Sequence, residues 1–135
     1  MTTNNIPLQS ELLPARGEVW RVEFDPVKGD EIRKSRPAIV ISTDSFSLLR
    51  TKLVVPLTSW QDRFAIAQWM VKIIADASNG LDRDSGADAL QLRCVSYERF
   101  ISKLGVAQAP VLVEIAAAIA IVVEFQLDSV KSSPQ

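Results

Sequence analysis

The sequence predicts a mainly β (α+β) domain: a small, strongly twisted antiparallel barrel with short helices and a C-terminal helix. Two observations carry this. Apolar stretches of strand length, several alternating with period two, recur between loops rich in Pro, Gly, Asn and Asp. The last apolar stretch is longer and helical in its spacing.

Glu18 to Phe24 alternates, with Trp20, Val22 and Phe24 on one face and Val19, Arg21 and Glu23 on the other. Asp25-Pro26 stops that strand, and a polar loop runs to Arg36. Pro37 to Ser42 suits a strand buried on both faces, with Pro37 tolerated at its start. Leu53 to Leu57 is the next strand, and Pro56 points to a sheet edge or an early end. Gln68 to Ile74 places Trp69, Val71 and Ile73 on one face, and Asn79-Gly80 signals a turn. Ala89 to Val95 reads as a fifth strand that sets Cys94 beside Leu90 and Leu92 as a small core residue. Ser96 is placed to cap a short helix closing at Gly105. Pro110 suits the first turn of a second helix, extending to about Leu127. That helix is apolar almost all round, which fits a packed core or a surface shared with a second copy. Residues 1–15 read as a polar arm, 16–128 as one domain and 129–135 as a polar tail.

Composition narrows the function. The chain has 135 residues, enough for one domain with a core of its own. Fifteen basic and sixteen acidic residues leave a net charge of −1, so any contact with phosphate must come from a local patch. The chain contains no histidine, which excludes a Ser-His-Asp or Cys-His triad and a His-ligated zinc. A single cysteine excludes an internal disulfide and fits a reducing compartment. The residues suggest no metal site: Asp82, Asp84 and Asp88 lack the ordered spacing and terminal Glu of an EF-hand and read as turn residues. The N-terminus has no signal-peptide pattern, and the charge-free run from Ile115 to Val123 falls far short of the ~20 residues that span a bilayer. A soluble cytoplasmic protein with no membrane partner is expected.

The clearest basic cluster lies in the loop from Lys28 to Arg36, where Lys28, Arg33, Lys34 and Arg36 outnumber Asp30 and Glu31. Arginine offers forked donors that match phosphate oxygens. Arg36 stands apart because it abuts Pro37 at the root of an apolar strand, where a guanidinium is held in place. Thr58-Ser59 supplies two hydroxyls at a strand end. Trp60 lies in a loop, free to stack on an unpaired base. The stretch from Trp60 to Gln68, with Asp62 and Arg63, matches no recognisable pattern.

Taken in order, Arg16-Gly17-Glu18-Val19-Trp20, Phe24-Asp25-Pro26-Val27-Lys28-Gly29-Asp30-Glu31, Ser35-Arg36-Pro37-Ala38-Ile39-Val40-Ile41-Ser42 and Val54-Val55-Pro56-Leu57-Thr58-Ser59 resemble the MazF/PemK family of toxins from bacterial toxin–antitoxin systems. Arg83-Asp84-Ser85 and Ala89-Leu90-Gln91-Leu92 are compatible with the family further along. The resemblance implies an SH3-like barrel of the CcdB/PemK type, a homodimer, and a cofactor-free, metal-independent endoribonuclease acting on single-stranded RNA. It implies catalytic roles for Arg36 and Thr58, a site-shaping role for Glu31, and an RNA-binding set of Lys28, Arg33, Lys34, Ser59, Trp60 and Gln91. A cognate antitoxin with an acidic tail is the implied partner. Two other readings stand beside it: a gyrase-poisoning toxin like CcdB on the same scaffold, and an inactive barrel that binds RNA or a partner. The pairing of Arg36 with Thr58 favours the ribonuclease branch.

Overall fold

The computed structural model describes residues 13–24, 35–46 and 48–126. Seven strands form the body: β1 (Glu18–Glu23), β2 (Ser35–Val40), β3 (Thr51–Ser59), β4 (Met70–Ile73), β5 (Ser85–Asp88), β6 (Arg93–Ser96) and β7 (Phe100–Val106). One α-helix follows, α1 (Ala109–Val122). The described strands pair in the order β4-β5-β3-β2-β1-β7, with β6 beside β3, and every pair is antiparallel.

This ladder is open, yet its two ends are tied by a turn. Val106 of β7 donates its N–H to the Ser78 carbonyl at 2.8 Å. Asn79 organises that turn. Its side-chain oxygen accepts from Asp76 and Leu81 N–H, and its amide donates to the Ile74 carbonyl at 2.9 Å. Gly80 has φ +69°, and a Cβ there would strike the Leu104 carbonyl. Gly105 faces the turn from the other side, where a Cβ would strike the Ser78 carbonyl. Two backbones approach so closely here that neither position has room for a side chain.

Strand alternation builds two cores. Val19, Ile39, Val55 and Leu57 lie on one face with Val71, Ile73, Ala87, Ile115 and Ala118. Trp20, Val22, Ala38, Val40 and Val54 lie on the other with Phe24 and Val95. Trp20 meets Phe100 edge-on at 5.7 Å. The apolar run at Ala38-Ile39-Val40 is therefore covered on both faces, as its composition requires, and Val19 is as fully buried as Val22.

Five sequence expectations need correction. Pro56 lies in the most central strand, not at an edge. Leu53 turns its carbonyl toward Ile41 on the β2 side, so by alternation Pro56 faces the opposite side. There β6 pairs only as far as Val54 and β5 begins at Leu57. The missing N–H thus falls in the seam between two partners, where no donor is needed. Ala89 to Val95 is not one strand. The Asp88 carboxylate accepts from Leu90 N–H and turns Ala89–Gln91 into a 3₁₀ segment between β5 and β6. Cys94 is consequently exposed rather than core. Ser96 does cap a turn, but only Tyr97–Arg99, and the chain then extends as β7 instead of a helix. Finally, α1 ends at Val122, short of Leu127. Glu124 adopts φ 58°, and Phe125 N–H returns to the Ala120 carbonyl at 2.9 Å, closing the helix with a left-handed residue.

Pro14 is buried, and Ala15 N–H donates to Glu18 Oε1 at 2.9 Å, so these two residues of the expected arm are packed. Glu18 Oε1 also accepts from Trp20 Nε1 at 2.9 Å, while Oε2 pairs with Lys103 Nζ of β7 at 3.0 Å. Among the described residues, no helix is long and apolar enough to cross a membrane.

Burial alone would raise the Glu18 pKa, but the hydrogen bonds from Trp20 and Ala15 and the Lys103 ammonium outweigh it, so the pKa lies below the ordinary 4.5. The stabilisation is complete above the unfolded value and is lost as pH falls through the lower folded value. Thermal melts from pH 7 to 3 are expected to show wild type losing its advantage over Glu18→Gln below about pH 4.5. Gly80→Ala is expected to cost at least about 2 kcal/mol in denaturant unfolding, from left-handed strain plus the collision with Leu104.

Candidate active site

The predicted pair Arg36 and Thr58 lies on the two central strands. The β2–β3 pairing ends at Ala38 and Pro56, and Arg36 and Thr58 each lie two residues beyond it, on one face of the sheet by alternation. Facing residues of antiparallel strands share a face. On its other side Thr58 pairs with Gly86 of β5, and Gly86 pairs with Lys72 of β4. Thr58, Gly86 and Lys72 thus form one row across β3, β5 and β4, with Arg36 on the neighbouring strand β2. From Thr58 to Lys72 the row spans two interstrand steps, roughly 10 Å. This row lies opposite the face on which Leu57, Ala87, Val71 and Ile73 pack under α1. The helix therefore supports the site from behind without obstructing it.

Arg36 and Lys72 are exposed, whereas Gly86 is buried. The Arg36 backbone is held by the Val22 pairing in β1. Thr58 is half-buried. Gly86 keeps the row low, since a Cβ would press on Met70, Trp60 and Phe64 side chains. Lys72 Nζ lies 5.3 Å from the Trp60 ring centroid. A strand-borne hydroxyl with cations on the strands to either side suits an anion.

Thr58 also lines a cleft of about 410 Å³ with Arg63, Phe64, Trp69, Met70 and Asp88. One wall is the 3₁₀ segment Asp62–Ile66. Phe64 meets Trp60 edge-on at 5.6 Å, and the Arg63 guanidinium sits 5.1 Å from the Phe64 ring centroid. Backbone bonds pin this wall: Trp60 N–H donates to the Asp84 carbonyl at 3.0 Å and Ala89 N–H to the Trp69 carbonyl at 2.9 Å. Aromatic faces beside cations are the surface on which unpaired bases stack.

The other predicted residues divide clearly. Ser59 is exposed, one step beyond Thr58, and pairs with Ser85. Trp60 is half-buried and packs edge-on against Phe64, behind the cleft's lining rather than as a free loop tip. Gln91 is exposed in the turn capped by Asp88 and does not line the cleft. Lys28, Glu31, Arg33 and Lys34 lie outside the described residues. Asp84 and Asp88 act as turn residues, accepting from Ala75 and Leu90 N–H.

Sequence reasoning missed Arg63, Phe64, Lys72 and Asp88. The signal for Lys72 was present, because alternation around Val71 and Ile73 points it to the opposite face. For Arg63-Phe64 the signal was a cation next to an aromatic in a polar connection.

Comparison with known proteins agrees with this architecture. The profile described as PemK-like, MazF-like toxin of type II toxin–antitoxin system matches residues 15–123. Endoribonuclease MazF9 of Mycobacterium tuberculosis is 33% identical over 110 residues, covering 77% of this chain and 91% of the relative. Endoribonuclease PemK of Escherichia coli is 40% identical over 45 residues, covering 33% of this chain and 34% of that one. In the fold alone, the crystal structure of MazF from Deinococcus radiodurans superposes with a TM-score of 0.67, at 23% identity, over 84% of this chain and 98% of that chain. A mycobacterial endoribonuclease solved in complex with its cognate antitoxin gives 0.64, at 18% identity, over 84% and 97%. With a profile that runs from the first turn before β1 to the end of α1, the chain belongs to the PemK-like, MazF-like toxins of type II toxin–antitoxin systems, a family of endoribonucleases.

Proposed function

We propose that this toxin cuts single-stranded RNA by metal-independent transesterification at the Arg36–Thr58 site. The observation that supports the proposal is the placement of Arg36 and Thr58 on the two neighbouring central strands, each two residues beyond the Ala38–Pro56 pair and on the face opposite Leu57 and Ala87. The chain has no histidine, and a reaction that uses the substrate's own nucleophile requires none. The RNA 2′-hydroxyl gives up its proton as its oxygen attacks the adjacent phosphorus. The bond to the 5′-oxygen breaks and that oxygen takes up a proton, leaving a 2′,3′-cyclic phosphate on one fragment and a 5′-hydroxyl on the other. Arg36 stabilises the added negative charge on the phosphorane, and Thr58 holds a non-bridging oxygen. Lys72 offers a second cation along the path of the strand. The parts taken by Glu31, Lys28, Arg33 and Lys34 rest on the sequence alone, as do those of Ser59 and Gln91.

The working form proposed is a cytoplasmic homodimer neutralised by a cognate antitoxin. Support for the dimer comes from α1, where Val113, Ala117 and Ile121 recur at four-residue spacing and are all exposed. An apolar helical stripe left in water fits a surface covered by a second copy. The mycobacterial complex of an endoribonuclease with its antitoxin supports the second partner.

Purified toxin in excess EDTA is expected to cut a long single-stranded RNA at discrete positions, leaving 5′-hydroxyl ends. Arg36→Ala and Thr58→Ala are each expected to slow cutting by about 10²–10³-fold while melting like wild type, since both side chains are surface-facing. Intact RNA with folded, antitoxin-free protein over a range of low salt would refute the nuclease mechanism at this site. Sedimentation is expected to give twice the 14.9 kDa chain mass, and a Val113→Asp variant to sediment as a monomer.

A further inference from the structure

We infer that the cleft beside Thr58 is a base pocket that selects guanine, with the Asp88 carboxylate and the Arg63 guanidinium reading opposite sides of one unstacked base. The inference rests on the proposed RNA reading of the Thr58 row and names the base that this site holds.

The cleft opens directly beside the hydroxyl that would hold the scissile phosphate, so the base it receives belongs to a nucleotide flanking the cut. Its volume of about 410 Å³ lies in the range of ~300–1,000 Å³ typical of small-ligand sites and leaves room for a single base. Phe64, Trp69 and Met70 supply apolar surface, and Trp69 is 40% exposed, which is unusual for a large aromatic that serves only the core. Stacking on such surfaces does not discriminate between bases.

Discrimination must come from the two charged residues in the wall. An ionised carboxylate only accepts hydrogen bonds. Asp88 Oδ1 already accepts from Leu90 N–H at 3.1 Å, which fixes the side chain's orientation. The carboxylate's remaining lone pairs are left to a ligand. Guanine presents two adjacent donors, N1–H and the N2 amino group, which match a carboxylate's two oxygens. Uracil presents one donor flanked by two carbonyl oxygens, both repelled by the carboxylate. Adenine and cytosine each set one amino group beside an acceptor nitrogen. On the far side, guanine carries O6 and N7, the acceptor pair that an arginine fork fits. Arg63 is exposed but tethered: its Nε donates to Gln61 Oε1 at 2.7 Å, and its guanidinium rests near the Phe64 ring. One acidic and one basic group facing a slot of this size complement guanine better than any other RNA base.

The test is binding, which separates this inference from the cleavage proposal. Guanosine 3′-phosphate and uridine 3′-phosphate are titrated into the full-length, antitoxin-free protein and followed by tryptophan fluorescence and equilibrium dialysis. Guanosine 3′-phosphate is expected to bind tighter by about tenfold or more, the discrimination a good bidentate base contact supplies. Asp88→Asn keeps an N-capping side chain and is expected to fold, and the preference should then collapse to near unity. Arg63→Gln gives an independent reading on an exposed residue, with weaker guanosine binding and unchanged uridine binding. Equal binding of the two nucleotides by wild type overturns the inference, as does undetectable binding of both. A preference that survives both substitutions overturns it too. A guanine preference in a protein that cuts no RNA would uphold the pocket while refuting the mechanism at the Arg36–Thr58 site.

Discussion

The architecture depends on satisfying the backbone of β3. This nine-residue strand is flanked by β2 on one edge and by two different strands, β6 then β5, on the other. Buried backbone donors must be paired. A change of partner in mid-strand would leave one N–H orphaned in the core. Proline at position 56 removes that donor at the seam. The same seam lets β6 peel toward Trp20 and Val22 while β5 continues toward β4, which gives the sheet its curl and its two cores. The candidate site lies at the end of β3, where Thr58 stands just past the seam in the β5–β4 half.

The end of β3 is also where stability and function share a border. Leu57 is buried beneath α1, and its neighbour Thr58 faces the cleft. Alternation alone places one side chain in the core and the next in the site. The hydroxyl inherits the rigidity of the core strand without being buried by it, and pre-organised groups of this kind are what charge stabilisation requires. The clasp formed by Asn79, Gly80 and Gly105 does comparable work at the other end of the sheet. It joins the β4–β5 turn to β7, which strand pairing leaves apart.

Two clusters of charge divide the labour. Glu18 sits in a structural network with Ala15, Trp20 and Lys103, and its geometry serves the joint between β1 and β7. Arg36, Arg63, Lys72 and Asp88 lie on the opposite rim, exposed or half-buried, with side chains directed at solvent, aromatic rings or a single cap. With a net charge of −1, the protein offers nucleic acid little long-range attraction. The proposed RNA contact therefore depends on local cations, those of this rim among them.

By itself the sequence determined whatever depends on neighbouring residues. Alternation located β1 and the apolar heart of β2, Asn79-Gly80 marked its turn, Pro110 marked the start of α1, and the order of short motifs around Arg36 and Thr58 identified the family. Local pattern could not decide what depends on residues distant in the chain. Pro56 reads as an edge signal until β5 and β6 are seen to part at that point. Ala89 to Val95 reads as one strand until the Asp88 cap breaks it, and Cys94 then turns out to be exposed. Phe100 to Val106 forms a strand only because β1 offers an unpaired edge. The cleft gathers Thr58, Arg63, Trp69 and Asp88 from separate elements. Strand register and turn geometry are set by long-range pairing, so only the tertiary structure could bring those four residues to one place.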